Sequence, residues 1–313
     1  MGVWGYDHGH TYFFALSGFL IGYTTFKKME AEKKFSLKTF LLNRILRTFP
    51  VYFLILFICG ISFLLFKYFG HHISINDYWT YFVFLQNYFA GDALFILKNL
   101  WAMAVTEQLY LGWGLLVLLL QQRTRNYLPY LALCFTVLAF IVGQISSKIY
   151  ENTLSYAGIF LGASCFARAY FQKNKIFRFI QNLKDVHVFS LLILLATCII
   201  YGYYVLADAN YLFKEHVMSL LFCGFLMVIC YKKTGDFTFL SNRFMRYLGK
   251  LTYGLYCYHA IAITLVTQYN AQKQLGLNKS LMFLIVLVLT IMVSIVSFEL
   301  YEKRFLKLKQ YRY

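Results

Sequence analysis

Arg44 and Arg47, in "NRILRTFPVYFL", stand three residues apart, so a helix carrying them presents both on one face. Two guanidiniums in that register can grip phosphates through bidentate, charge-assisted hydrogen bonds, or simply anchor a helix mouth to lipid headgroups. In "NLWAMAVTEQLYLGW", Glu107 and Gln108 sit among Trp101, Tyr110 and Trp113. A carboxylate in such company suits a general base, or orients a histidine as the carboxylate of a triad does; the alternative is a polar clasp between helices. In "LGKLTYGLYCYHAIAIT", His259 lies beside Tyr253, Tyr256 and Tyr258. A buried histidine near neutrality suits proton transfer, and equally suits a structural hydrogen bond. Glu299, in "SFELYEKRF", is expected to pair with a basic residue in a structural role. The His71–His72 and His8/His10 pairs could take a metal or a polar ligand. No carboxylate or cysteine completes a set with them, so no metal site is expected.

The elements that position these groups follow from composition. The chain has 313 residues, 60% hydrophobic and 20% aromatic, with only 14% charged. So few charges cannot solvate a soluble surface of this size, and apolar runs of about 20 residues recur, each long enough to cross a bilayer. An all-α, polytopic transmembrane helix bundle is expected, since backbone groups in lipid must be paired within the segment. The runs are continuous rather than alternating, which excludes a barrel. Spans are expected near 11–27, 50–69, 98–120, 128–147, 154–171, 186–206, 215–231, 249–268 and 280–301, within one integral membrane domain covering residues 1–313. The segment 70–97 reads as an outer loop with a short interfacial or re-entrant helix around 78–89. Pro50 and Pro129 fall near the first turns of their spans, where a missing N–H matters least.

The net charge of +17 is a topology signal rather than a nucleic-acid signal. With the 27–49 loop placed in the cytoplasm, twenty-four of the 30 lysines and arginines fall on that side, the segregation of the positive-inside rule. The C-terminus is then cytoplasmic, and nine spans place Met1 outside, so one upstream inward-to-outward helix is expected ahead of it. All seven cysteines lie in or at the ends of spans and none has metal-ligand spacing, so they read as small core residues.

Four stretches, in order, resemble the membrane acyltransferase-3 family, integral O-acyltransferases of surface polysaccharides. "YFFALSGFLIGY" resembles its "FFVLSGFLI" signature, and "NRILRTFPVYFL" its "RRLLRILPLY" segment. "FLQNYF" followed by "LWAMAVTEQLYLGW" resembles "FLQNY…LWSLSVEEQFYLLWP", and "LGKLTYGLYCYHA" resembles "LGKISYSLYLWH". The resemblance implies ten transmembrane helices with both ends cytoplasmic, a cytosolic acetyl-CoA (acyl-CoA) donor substrate with no bound cofactor, and a carbohydrate acceptor. Arg44 and Arg47 match the arginine pair implicated in donor handling, and Glu107 matches the second acidic residue of the "EEQ" signature. Departures exist: Thr106 replaces the first acidic residue, and Ala102 and Ala104 replace small polar positions. The family's first helix, typically ending in a histidine regarded as essential, precedes the first signature, and only eleven residues precede Tyr12 here.

The expected function is therefore acyl transfer from acyl-CoA to a hydroxyl of a cell-surface or exopolysaccharide, in the plasma (inner) membrane. Glu107 and His259 are the candidate catalytic residues, and Arg44 and Arg47 the candidate donor-binding residues. The lipid bilayer, acyl-CoA and a carbohydrate acceptor are the expected partners, with no nucleic acid. The rivals are a transporter or flippase of a lipid-linked sugar, or an inactive fragment. A transporter would more often show two related halves and helices interrupted near mid-membrane, and neither is visible.

Overall fold

The computed structural model describes residues 9–32, 35–66, 75–89, 95–145, 149–173, 175–206, 209–231 and 242–308. His8, His71 and His72 lie outside them. The described chain is all-helical: α1 (Gly9–Glu32), α2 (Leu37–Phe66), α3 (Ile75–Phe82), α4 (Gln86–Phe89), α5 (Phe95–Lys98), α6 (Trp101–Leu120) and α7 (Thr124–Ile145). These are followed by α8 (Thr153–Gln172), α9 (Lys175–Asn182), α10 (Asp185–Val205), α11 (Tyr211–Tyr231), α12 (Arg243–Lys273) and α13 (Lys279–Ser297). A π turn (Phe298–Glu302) then leads into α14 (Lys303–Lys307).

Each expected span falls on a helix or helix pair. By length and apolarity alone, Leu37–Ile61, Trp101–Ile145, Tyr211–Tyr231 and Lys279–Lys307 suffice to cross a membrane, and the second of these covers two expected spans. Outward-facing apolar side chains such as Leu119 (80% exposed) and Phe283 (69%) fit a lipid solvent, in which they lose nothing by exposure. The chain is a multi-pass membrane protein.

Five expectations need correction. Pro129 lies inside α7, at its sixth residue, and Cys134 and Cys230 are exposed rather than in the core. Helix α2 begins at Leu37 rather than near residue 50, so Pro50 is internal to it and the carbonyl of Leu46 lacks its usual helical donor. Seven of the thirteen residues in 37–49 are Leu, Lys or Arg, strong helix formers ahead of the apolar run that an apolar window does not register. His10 lies in the first turn of α1, not in a loop before it. The interfacial helix expected around 78–89 is two pieces, α3 and α4, broken at Phe84, which adopts a left-handed φ of 56°.

The helices divide into two compact units. The first holds residues 1–37 and 105–238, the second 38–104 and 239–313. In the first, α1 packs on α8 through Gly18 and Gly22. A Cβ at Gly18 would stand 2.2 Å from the Phe160 carbonyl oxygen, and one at Gly22 would stand 3.0 Å from the Ser164 Cβ. Ser164 Oγ donates to the Gly18 carbonyl at 2.8 Å. Small residues four apart let two backbones meet where no hydrophobic force draws helices together in lipid. Further along α1, Trp113 Nε1 donates to Thr25 Oγ1 at 3.1 Å.

In the second unit, Val51, Tyr52, Ile55 and Leu56 of α2 form a core with Tyr81, Tyr253, Cys257 and Tyr258. Tyr52 Oη donates to the Tyr81 carbonyl at 2.7 Å. Gln86, 3% exposed, donates through Nε2 to Tyr52 Oη (3.1 Å) and to the Leu100 carbonyl (3.0 Å). The "FLQNYF" stretch thus places a buried amide that ties α2 to the start of α6, which satisfies polar groups that lipid cannot.

Candidate functional site

The two arginines lie in the second and third turns of α2. Arg44 is half-buried, its guanidinium carbon 5.8 Å from the centre of the Phe40 ring, and its carbonyl accepts from Thr48 Oγ1 at 3.1 Å. Arg47 is exposed, and its charge acts on the carboxyl of Glu302. Helix α12 is held against α2 where Tyr253 Oη donates to the Thr48 carbonyl at 2.7 Å. Three residues apart on α2, the two arginines have the spacing that lets a helix present both on one face, which suits phosphoesters.

His259 lies six residues beyond Tyr253 on α12, about 9 Å of helix rise away. Its Nδ1 donates to the Tyr256 carbonyl one turn back, which leaves the Nε2 lone pair as an acceptor. Asn99 Nδ2 fills that position at 3.2 Å. Asn99 is held in turn, because its carbonyl accepts from Tyr256 Oη at 2.7 Å. Both ring nitrogens thus have a partner, the Tyr256 carbonyl at Nδ1 and the Asn99 side-chain amide at Nε2. The three tyrosines around His259 are also accounted for: Tyr253 bonds Thr48, Tyr256 bonds Asn99, and Tyr258 shares a 2.7 Å hydrogen bond with Ser297.

Glu299 pairs with Lys303 at 2.8 Å, as expected, and also accepts from Tyr247 Oη at 3.1 Å. The neighbouring acid is the unexpected one. Glu302, 6% exposed, accepts from Ser297 Oγ at 3.0 Å, and its Oε1 would stand 3.2 Å from a Cβ at Gly254. The π turn widens the helix by one residue per turn and swings Glu302 inward while Glu299 stays outside. α-Helical spacing from an apolar run does not foresee a π turn, so the burial of Glu302 was not legible in the sequence.

In the first unit, Glu107 is half-buried on α6, a turn and a half from Trp101, with Trp113 and Tyr110 buried nearby. Gln108 Oε1 accepts from Thr153 Oγ1, so the polar clasp expected for this pair exists at least through Gln108. A second polar cluster was not expected. His10 Nε2 pairs with Tyr150 Oη, and Tyr156 Oη lies 3.1 Å from Tyr211 Oη and 2.8 Å from the Tyr150 carbonyl. Thr11 Oγ1 donates to Glu215, which is 1% exposed. The signal was an acid at the edge of an apolar run, which by default marks a functional or clasped position. Of the expected site residues, the second unit holds Arg44, Arg47 and His259, and the first holds Glu107.

The described residues form an all-helical, multi-pass membrane domain. The acyltransferase-3 profile, described as an acyltransferase domain, matches residues 9–299, and the chain belongs to that family. A "Putative O-acetyltransferase" of Staphylococcus aureus (strain COL) is 24% identical over 322 residues, covering 94% of this chain and 52% of the relative. The "Putative peptidoglycan O-acetyltransferase YrhL" of Bacillus subtilis is 24% identical over 82% of this chain and 44% of its own. The "Peptidoglycan O-acetyltransferase OatA" of Listeria monocytogenes is 22% identical over 82% of this chain and 44% of its own. The chain spans about half the length of the curated relatives it matches. No solved structure matches it.

Proposed function

We propose that this chain carries the O-acetylation step of a surface glycan, moving an acetyl group from acetyl-CoA to a carbohydrate hydroxyl. The observation that carries this reading is the family match over residues 9–299, and the relatives named as peptidoglycan O-acetyltransferases support a glycan acceptor. In the reaction the acceptor oxygen attacks the thioester carbonyl, the C–S bond breaks, and CoA leaves as the thiol. The hydroxyl proton must depart as the C–O bond forms. Arg44 and Arg47 hold donor phosphates at the cytoplasmic face. His259, with its lone pair on Nε2, takes the acceptor proton once the acceptor hydroxyl replaces the Asn99 amide there. Glu107, the other candidate catalytic residue, serves as a general base or as a carboxylate that orients a histidine, and the C-terminus lies on the cytoplasmic side of the plasma (inner) membrane.

Membranes containing each variant are supplied with radiolabelled acetyl-CoA, and label in glycan is counted. Glu107→Gln and His259→Gln are each expected to insert normally and lose about 100-fold or more in turnover. Unchanged transfer in either variant removes that residue from the mechanism. Arg44→Ala with Arg47→Ala should weaken acetyl-CoA binding by about tenfold or more in calorimetry, and equal affinity returns the pair to headgroup anchoring. Movement of a lipid-linked sugar without label transfer would replace the enzyme with a transporter.

A further inference from the structure

A groove of about 1150 Å³ lies wholly within the second unit, between the first turns of α12 and the π turn with α14. Arg243, Arg246 and Lys250 occupy positions i, i+3 and i+7 of α12 and so share a face. Lys303 and Lys307, four apart on α14, line the facing wall. One carboxylate, Glu299, opposes these five cations, and it is already engaged by Lys303 Nζ and Tyr247 Oη. Among the described residues, Arg243, Arg246, Lys250 and Lys307 make no ion pair. Like charges three and four apart on a helix destabilise it, so this cluster stands at a penalty that a bound anion would remove.

Two further features point the same way. Asn242 caps α12, its Oδ1 accepting from the Met245 N–H at 2.8 Å, and the positive end of a 31-residue helix opens toward the cations. Aromatic rings border the charge: Phe244 is 63% exposed, and Tyr247 meets Phe298 edge-on with ring centres 6.1 Å apart. A cationic groove bordered by aromatic rings accommodates a phosphoester attached to a planar group, because ring contact and charge pairing can act side by side.

We propose that this groove binds phosphoesters, either the adenosine 3′,5′-bisphosphate end of acyl-CoA or the headgroup phosphate of an anionic lipid. The donor source rests on the acyl-CoA reading above; phosphate recognition itself does not. With acyl-CoA as the source, the groove is a second donor contact, apart from Arg44 and Arg47, that takes the nucleotide end of that substrate.

The test uses the full chain in nanodiscs of phosphatidylcholine, titrated with adenosine 3′,5′-bisphosphate. In a parallel arm, native mass spectrometry counts phosphatidylglycerol retained from mixed-lipid discs. The variants are Arg243→Gln with Arg246→Gln and Lys250→Gln, and the charge-keeping Arg243→Lys, Arg246→Lys, Lys250→Arg. Binding of the bisphosphate that weakens about tenfold or more in the neutralised variant and survives in the charge-keeping one identifies the donor as the source. No bisphosphate binding, with phosphatidylglycerol retention lost in the neutralised variant alone, identifies the lipid. Neither ligand bound by the native chain, or both bound equally by the neutralised variant, overturns the proposal. If the triple variant aggregates, Lys307→Gln, exposed on the last turn, is read in its place and should weaken binding about threefold. Neither arm requires acetyl transfer, so failure of the groove leaves the acyltransferase reading standing. Bisphosphate binding without any transfer to glycan strikes that reading alone.

Discussion

A carboxylate 6% exposed in a membrane helix must be held by its surroundings, and Glu302 is held by Ser297, with Arg47 supplying positive potential. Glu302→Gln keeps an acceptor for Ser297 but replaces the other carboxyl oxygen with an amide NH2. Glu302→Ala loses both and leaves the Ser297 and Tyr258 hydroxyls to satisfy only each other. The alanine variant should therefore lower stability by about 1–3 kcal/mol, with the glutamine variant between it and the native chain. Thermal unfolding in detergent, followed by loss of the monodisperse size-exclusion peak, measures the order. Equal midpoints for all three would make Glu302 a passive buried acid. This residue also marks the limit of what the sequence shows. Arg44, Arg47 and His259 announced themselves as polar groups beside apolar runs, and Glu299 as an acid beside Lys303. Which of the two acids turns inward depends on a single extra residue in a helical turn, and no periodicity read from the chain contains it.

At the scale of elements, the apolar runs located the helices, and the caps and approaches decided where they end and how they meet. Asn152, Asn242 and Asn278 each cap a helix with a side-chain acceptor, fixing the starts of α8, α12 and α13. The early start of α2 was illegible because Leu37–Phe49 is helical by propensity without being long enough in apolar residues to register as a span. The α1–α8 contact was legible in principle: "SGFLIG" sets two glycines four residues apart, the spacing of close helix pairs in membranes. The two glycines are not equivalent. A methyl at Gly18 runs into the backbone of Phe160 at 2.2 Å, which cannot yield without moving α8. At Gly22 the nearest atom is the Ser164 Cβ at 3.0 Å. Gly18→Ala should cost about 2–3 kcal/mol or prevent folding, and Gly22→Ala about 1 kcal/mol. Because Ser164 also donates to the Gly18 carbonyl, Ser164→Ala in the native background should cost about 1 kcal/mol. Thermal melts of the three variants give the ranking, and a Gly18→Ala protein as stable as the native chain would mean that α1 and α8 do not meet at this point.

Across the whole chain the cations segregate by expected topology, and under the proposed reaction that topology would decide which helix ends face the donor and which face the acceptor. Arg44, Arg47, Arg125, Arg243, Arg246, Lys250, Lys303 and Lys307 belong to one set in the segregation pattern, while Lys98, Lys214, Lys273 and Lys279 belong to the other. Several members of the first set have local work, such as Arg125 with Glu30 at 3.2 Å and Lys303 with Glu299 at 2.8 Å. Exposed pairs of this kind contribute at most about 1 kcal/mol each to stability, so orientation rather than fold is what the segregation serves. A fluorescent protein fused after Tyr313 should mature and an alkaline phosphatase fused there should stay inactive. Inserted at Gly276, between α12 and α13, the two reporters should exchange, with activity ratios shifting about tenfold or more. Replacing Lys27, Lys28, Lys33, Lys34 and Lys38 by glutamine should then produce a mixed population with the Tyr313 fusion partly exported, because the bias that orients α1 and α2 has been removed. An outward Tyr313 in the native chain would place Arg44, Arg47 and the α12–α14 groove on the side of the membrane that has no CoA. Donor binding there would be ruled out whatever the groove's affinity for phosphate.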